Sequence, residues 1–184
     1  MIPGALARRY ARALLALAPS PAARDKFAKD LVALAEIAKS QDDAQMPVLT
    51  VLASRRFPQA ERKKLLGALA RRIDADPMVV KFLEYVLERD RLEGLPDIAR
   101  AYVRMADEAG GRVQAAIVSA APLSPDAVSG IKHALERATG KQVVMATSVD
   151  PELIGGVVAK VGSYVLDGSL KTALARMRTE LKEA

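Results

Sequence analysis

The side chains best suited to catalysis or metal binding are few in this chain of 184 residues. His133 is the only histidine and there is no cysteine. The chain therefore lacks the usual ligands of a zinc site, and a Ser-His-Asp arrangement would have to use His133. By the helical step His133 lies about 200° around its predicted helix from the apolar Ile131, on the solvent side. The acidic pairs Asp42-Asp43 and Asp74/Asp76 fall in chain breaks, where aspartate serves turns and caps. We therefore expect neither a catalytic residue nor a bound metal.

Two glycine-containing stretches raise the question of phosphate binding. Gly155-Gly156 followed by Gly162 does not match G-x-G-x-x-G, and it precedes a predicted strand instead of joining a strand to a helix. Gly140-Lys141 lacks the earlier glycine of a phosphate loop and the hydroxyl residue that follows its lysine. The sequence thus predicts no nucleotide cofactor and no small-molecule substrate.

A basic cluster within residues 55–72 is the strongest charge feature, in a chain of net charge +6. Seven basic residues face one acidic residue, Glu61, and Phe57 is the only aromatic residue among them. One aromatic residue offers little surface on which nucleic-acid bases could stack. We therefore interpret the basic cluster as a solvated face or as a face that contacts an acidic protein. A nucleic-acid-binding module remains the alternative, and its binding to generic RNA would weaken steeply with salt.

Residues 151–169 carry the densest local structure signals. Gly155-Gly156 allows a bend or a close backbone approach. Residues 157–161 then alternate as a strand, Gly162-Ser163 suits a two-residue turn, and residues 164–166 form the returning strand. Asp167 suits a turn or capping role, and Ser169 suits the N-cap of a following helix. The pattern predicts a β-hairpin that leads into a helix.

The first 110 residues predict six amphipathic helices packed as a bundle. The helices are expected at the N-terminus, over residues 22–40, over 47–53, and from Phe57-Pro58, Asp76-Pro77 and about Leu95, with a polar loop over 41–46. The N-terminus is basic, as in transit peptides, but its apolar stripe favours a helix of the mature protein. No segment has the apolar length of a membrane span.

The periodicity changes after Gly110-Gly111, which we take as a domain boundary. Strands are expected around 113–118 and 143–147, with a helix from Ser124-Pro125 to Gly140 between them. The hairpin and a last helix through Leu174, Met177 and Leu181 complete the order β-α-β-β-β-α. The predicted fold is mainly α, with a six-helix bundle (residues 1–110) followed by a small α+β domain (residues 111–184).

The fifth predicted helix is apolar on nearly every side. Such a helix is either central in the bundle or has one apolar face for the bundle and another for a partner, and the sequence leaves both open. The first helix also has apolar residues off its main stripe. If these two helices are neighbours, they form a groove that a third helix can enter. The residues alone thus indicate a non-catalytic, two-domain interaction protein.

Three stretches in the expected order carry a family resemblance: ARRYARALLALA, FLEYVLERDRLEGLPDIARAY and IGGVVAKVGSYVLDGSL. They resemble the delta subunit of F-type ATP synthase, whose mitochondrial relative is the oligomycin-sensitivity-conferring protein, and the resemblance covers the whole chain. It implies a stator subunit that joins the catalytic head to the peripheral stalk, so that proton-driven rotation is coupled to ATP synthesis. The implied location is the cytoplasmic side of the bacterial inner membrane, peripherally and through the complex.

The resemblance also implies partners and residues. The bundle would receive the N-terminal helix of an alpha subunit, and the second domain would hold the stalk's b subunits, with no nucleic acid involved. The implied groove residues are Tyr10, Ala13, Leu14, Leu17, Val80, Leu83 and Val86, and the signature residues that shape the second domain are Gly155, Gly156, Asp167 and Ser169. On this basis Leu83→Asp is expected to weaken binding to the head, because it places a charge in a dry groove.

Overall fold

The chain forms two compact units, Met1–Ala106 and Asp107–Ala184. The computed structural model describes residues 4–40, 47–151, 153–162, 164–170 and 172. The division between the units falls in the last turn of a helix that ends at Ala109, just before the boundary predicted at Gly111. The predicted loop over 41–46 lies outside the described residues.

Helices form the first unit, as the apolar periodicity predicts. They are α1 (Gly4–Leu17), α2 (Pro21–Lys39), α3 (Val48–Ala53), α4 (Gln59–Arg72), α5 (Pro77–Glu88) and α6 (Leu95–Ala109), with a single 3₁₀ turn at Leu92–Gly94 before α6. Ser20 caps α2 by accepting the Ala23 N–H at 3.2 Å, and the Asp76 carboxylate accepts the Met78 N–H at the start of α5 at 2.8 Å. All six predicted helices are confirmed.

Leucine, alanine and a few aromatic side chains fill the core of this unit. Phe27 and Leu31 of α2, Leu83 of α5, and Ile98 and Tyr102 of α6 are among its buried members. Asp30 is also buried, and its carboxylate accepts the backbone N–H of Asp76 at 2.8 Å, which ties α2 to the start of α5. Tertiary packing of apolar faces, more than helix propensity, therefore holds these helices in place.

Tyr102 makes the bundle sensitive to alkaline pH. Its side chain is fully buried, and burial raises the pKa of its phenol to about 12. The unfolded chain releases this proton near pH 10, so above pH 10 the unfolded state binds fewer protons and stability falls until about pH 12. We expect the wild type to lose about 1 kcal/mol more than Tyr102→Phe between pH 8 and pH 11. Urea unfolding of both proteins at the two pH values measures this; equal losses would contradict it.

A four-stranded sheet and one described helix form the second unit. The elements are β1 (Arg112–Ser119), α7 (Pro125–Thr139), β2 (Gln142–Val149), β3 (Val157–Val161) and β4 (Tyr164–Asp167). The strand order is β2-β1-β3-β4; β2 runs parallel to β1 through the α7 crossover, and β3 and β4 are each antiparallel to their neighbour. Among its described residues, the buried core contains Ala115, Ile117, Leu135, Val143 and Val161.

The β-hairpin forms where the sequence predicts it. Val161 pairs with Tyr164, so the loop has two residues, and Gly162 has the positive φ of 59° that such a loop needs. Leu170 and Thr172 are helical, while the rest of the predicted last helix, with Leu174, Met177 and Leu181, lies outside the described residues. Within the part of the chain that the structure describes, no helix is long and apolar enough to cross a membrane.

Candidate partner-binding surface

Helices α1 and α5 are neighbours in the first unit. The rings of Tyr10 and Phe82 meet edge to face, with centroids 6.2 Å apart and planes at 73°. The Arg91 guanidinium, just after α5, donates a hydrogen bond to the Tyr10 hydroxyl at 2.9 Å. The aromatic pair and this hydrogen bond join the two helices, and a contact between them is a condition for a groove that both helices line.

Three of the seven predicted groove residues lie in the core of the bundle with no exposed surface. Leu14 of α1 and Leu83 and Val86 of α5 each have 0% of their surface exposed. A charge at Leu83 would therefore enter the core itself, and the expected effect of Leu83→Asp is loss of the fold. This variant cannot separate binding from folding.

The other four predicted groove residues differ in exposure and direction. Tyr10 is buried against Phe82, whereas Ala13 and Leu17 of α1 are exposed, Leu17 by 51%. Val80 is half-buried, and by the helical step it lies about 160° around α5 from Phe82. Because Phe82 marks the side of α5 that meets α1, Val80 lies on the far flank, away from α1.

Sequence reasoning missed the apolar side chains of α5 that remain accessible beside α1. Met78 and Tyr85 are 39% and 45% exposed and lie about 40° and 60° around the helix from Phe82, both toward the same flank. We call these two side chains, together with the exposed Ala13 and Leu17 of α1, the α1–α5 surface; the Tyr10–Phe82 pair joins its two helices. The helical step gives this flank once the side that meets α1 is known, but the sequence does not identify that side.

The glycine pair of the C-terminal signature lies against the end of the hairpin. Gly156 has φ 85°, and a Cβ added there would meet the Gly168 carbonyl oxygen and lie 2.9 Å from the Ser169 Cα. At Gly155 the added Cβ would lie 2.6 Å from a methyl carbon of Leu170. The Gly155 carbonyl accepts the Leu170 N–H at 2.9 Å. The close backbone approach predicted for this pair is thus confirmed.

Asp167 and Ser169 make hydrogen bonds that shape the chain after β4. The Asp167 carboxylate accepts the Ser169 N–H at 2.9 Å and the Thr172 hydroxyl at 2.8 Å. Ser169 is 4% exposed, and its hydroxyl accepts the Thr172 N–H at 3.3 Å, which is the bond of an N-cap. Both side chains therefore have the turn and capping geometry that the sequence indicates.

Ion pairs within the bundle occupy much of the basic cluster of residues 55–72. Asp90 accepts Arg62 at 3.2 Å and Arg55 at 3.0 Å, and the Arg62 side chain is only 7% exposed. Lys63 pairs with Glu88 at 2.6 Å, and this hydrogen bond raises the pKa of the lysine. Arg55 keeps 80% of its side chain exposed in its ion pair, and Arg56, Lys64, Arg71 and Arg72 are also exposed. Part of the basic cluster therefore stabilises the contact between α4 and the end of α5.

The titratable residues considered for catalysis or metal binding are not grouped into a site. His133 is 75% exposed, and its Nδ1 lies 3.6 Å from a Glu136 carboxylate oxygen on the same helix. Within the described ranges no three histidine or carboxylate side chains come together as metal ligands do.

Comparison with known proteins adds independent findings. Residues 6–181 match the family model "ATP synthase delta (OSCP) subunit". The chain is 36% identical to the ATP synthase subunit delta of Desulfotalea psychrophila over 96% of each chain, and 38% identical to that of Myxococcus xanthus over the full length of both. That of an Anaeromyxobacter strain is 39% identical over the same extent.

The fold also matches a solved structure. A chain in the cryo-EM structure of the Toxoplasma gondii mitochondrial ATP synthase hexamer aligns with a TM-score of 0.72 at 26% identity, covering 96% of this chain and 97% of that one. The family model, the relatives and this likeness in fold all cover nearly the whole chain, as does the order of helical bundle, glycine-rich hairpin and capped helix start. The chain therefore belongs to the ATP synthase delta (OSCP) subunit family.

Proposed function

We propose that this chain is a non-catalytic stator link of an F-type ATP synthase. In this role the first unit binds the N-terminal helix of an alpha subunit, and the second unit binds the b subunits of the peripheral stalk. The head is then held still while the rotor turns, so that proton flow does work at the catalytic sites. The complex would place the chain at the cytoplasmic side of the bacterial inner membrane.

The α1–α5 surface carries the first half of the proposal. It offers partly exposed apolar side chains, namely Leu17, Met78 and Tyr85, on two helices held together by the Tyr10–Phe82 pair. An amphipathic helix binds such a surface by placing its apolar stripe between two parallel ridges. Its burial of Tyr85 would supply the kind of aromatic contact that dominates binding energy at interfaces.

The hairpin of the second unit supports the other half. Tyr164, Val165 and Leu166 of β4 are 76%, 60% and 57% exposed, an unusual set of large apolar side chains on one edge strand. Consecutive exposed apolar residues of this kind favour a protein partner. When one unit has bound its partner, the other unit is held near its own partner at a high effective concentration. A link that must resist torque needs such a gain in overall affinity.

A nucleic-acid-binding role is the alternative, and the ion pairs of the basic cluster weigh against it. Arg55, Arg62 and Lys63 already bind carboxylates of the same bundle, so fewer cations are available for phosphates. Generic RNA added to the protein at low salt tests this alternative directly. Binding that is tight and falls steeply with salt would favour it over the stator role.

Tyr85→Asp tests the head contact. We expect this variant to bind a synthetic peptide of the alpha subunit's N-terminus about 100-fold more weakly than the wild type, because a charge replaces an exposed ring at the centre of the surface. Isothermal titration calorimetry measures the affinity. Val32→Asp is the matched control, since Val32 is 43% exposed on α2 and lies on the side of that helix opposite the core.

Loss of the contact at Tyr85 should also reduce ATP synthesis by the whole complex. Membranes stripped of the chain should regain proton-driven ATP synthesis when the wild type or Val32→Asp is added, and regain little with Tyr85→Asp. Stripped membranes that still couple proton flow to ATP formation would end the proposal, as would unchanged peptide affinity of a folded Tyr85→Asp protein.

A further inference from the structure

The link between Asp167 and Gly168 is chemically distinct from the other peptide links of the chain. In an Asp-Gly sequence the glycine nitrogen can attack the aspartate side chain, because glycine has no Cβ to hinder the approach or to restrict the backbone. Asparagine reacts in the same way, but this chain contains no asparagine, and residues 167–168 are its only Asp-Gly sequence. This link is therefore the one at which spontaneous isomerisation of the main chain is most favoured.

The reaction needs only the chain and water. The Gly168 nitrogen attacks the Asp167 Cγ, the N–Cγ bond forms, and the carboxyl group loses its hydroxyl, which leaves as water with the proton of the nitrogen. Water then opens the resulting succinimide ring at one of its two carbonyl carbons. Opening at Cγ restores aspartate, whereas opening at the Asp167 backbone carbonyl carbon gives isoaspartate, whose main chain runs through Cγ and is longer by one carbon atom.

The pairing of β4 with β3 holds the attacking nitrogen. Just beyond the last residue pair of this ladder, the Gly168 N–H donates to the Val157 carbonyl oxygen at 3.0 Å. The nitrogen of a succinimide carries no hydrogen, so ring closure would end this hydrogen bond. The Gly168 carbonyl oxygen also lies close to where a Cβ of residue 156 would be. The chain on both sides of the nitrogen is therefore fixed as long as β4 stays on β3.

Two hydrogen bonds hold the carboxylate that the nitrogen would attack. Asp167 Oδ1 accepts the Ser169 N–H at 2.9 Å, and Oδ2 accepts the Thr172 hydroxyl at 2.8 Å. Ring closure has to turn the carboxyl group toward the Gly168 nitrogen and remove one of its oxygens, so at least one of these bonds is lost. Both donors lie at the helix start that Ser169 caps. This helix start therefore protects the side chain, as β3 protects the nitrogen.

We propose that Asp167-Gly168 is a latent isoaspartate site, which the folded hairpin protects and which reacts when the hairpin and the helix start open. Local openings have free energies between zero and that of global unfolding, so the rate of the reaction reports the population of the open form. The extra carbon atom in the main chain would shift the Ser169 cap away from the Thr172 N–H. An opening that ends in isoaspartate therefore leaves a lasting covalent mark. The proposal does not depend on the stator role.

The test incubates the full chain at neutral pH, once folded and once in concentrated guanidinium chloride. Trypsin cleavage after Lys160 and Lys171 then releases residues 161–171, in which Asp167 is the only aspartate. Chromatography separates the aspartate and isoaspartate forms of this peptide, which have equal mass, and fragmentation by electron transfer identifies them. We expect isoaspartate to form at least about tenfold more slowly in the folded chain, because the open form is a minor population.

Thr172→Val tests the protection of the carboxylate. Valine keeps the shape of threonine but removes the hydroxyl that donates to Asp167, so we expect isoaspartate to form about fivefold faster in this folded variant, the effect of one hydrogen bond. Thr147→Val in β2 is the matched control and should react as the wild type does.

Equal rates in the folded and the unfolded wild type would overturn the proposal, and this comparison needs no variant to fold. An Asp167 that stays unmodified in the unfolded chain would overturn it as well. So would a folded Thr172→Val protein that reacts no faster than the Thr147→Val control.

Discussion

Gly156→Ala is expected to destabilise the second unit by more than about 3 kcal/mol, enough to unfold much of it. The residue has φ 85°, a conformation that an L side chain adopts only with strain, and the new methyl group would lie on the Gly168 carbonyl oxygen. That oxygen is backbone in the segment that leads to the Ser169 cap, so it cannot swing away as a flexible side chain would. The hairpin and the helix start must separate to admit one carbon atom.

Gly130→Ala is the matched control in the same unit. Gly130 lies within α7, and a Cβ added there meets nothing within 4 Å. Removing a glycine from a helix interior is expected to stabilise the unit by about 0.5–1 kcal/mol. Urea unfolding of both variants, followed by circular dichroism, measures the contrast. A Gly156→Ala protein as stable as the wild type would mean that the glycine-rich segment does not lie against the start of the helix.

Asp90→Asn is expected to cost the first unit about 3 kcal/mol. The substitution leaves the Arg62 guanidinium charged and 7% exposed, without its carboxylate partner. The Arg62 Nε already lacks a hydrogen-bond partner, so the pairing with Asp90 and the longer bond of 3.4 Å to the Leu52 carbonyl are its main compensation. Asparagine also tolerates the left-handed conformation, φ 51°, that residue 90 adopts, so backbone strain does not confound the result.

Arg62→Met separates the charge from the packing. Methionine keeps an unbranched apolar chain in the same space and removes the buried charge, so we expect a change within about 1 kcal/mol of the wild type. The double variant Arg62→Met/Asp90→Asn should then be close to Arg62→Met alone. Additive losses in this cycle, measured by urea unfolding, would show that the two side chains do not act as a pair.

Local patterns account for the elements of the fold. Apolar spacing of three and four residues, proline at a first helical turn and a serine or aspartate cap are all local signals, and α2, α5 and α7 begin where these signals lie. The hairpin was equally local, because a glycine with positive φ and two alternating runs suffice to define it. Gly155 and Gly156 were identified for close approach, but the segment that they approach was not.

The candidate surface was predicted only in outline. The sequence predicts that the first and fifth helices carry more apolar surface than one packing face needs, but not which residues the bundle buries. Leu83 and Val86 were predicted as groove residues, but they lie in the core. In a helix that is apolar on nearly every side, the spacing of apolar residues does not show which side faces the core. Tyr85 escaped attention for the same reason.

The sequence by itself determined the types and order of the elements and the family to which the chain belongs, because both depend on patterns of residues close together in the chain. Only the tertiary structure decided which flank of α5 meets α1 and which basic residues are paired. Arg62 and Asp90, or Tyr10 and Phe82, are far apart in sequence and meet through packing. A contact of that kind leaves no periodic or compositional mark, so it is visible only once the helices are in place.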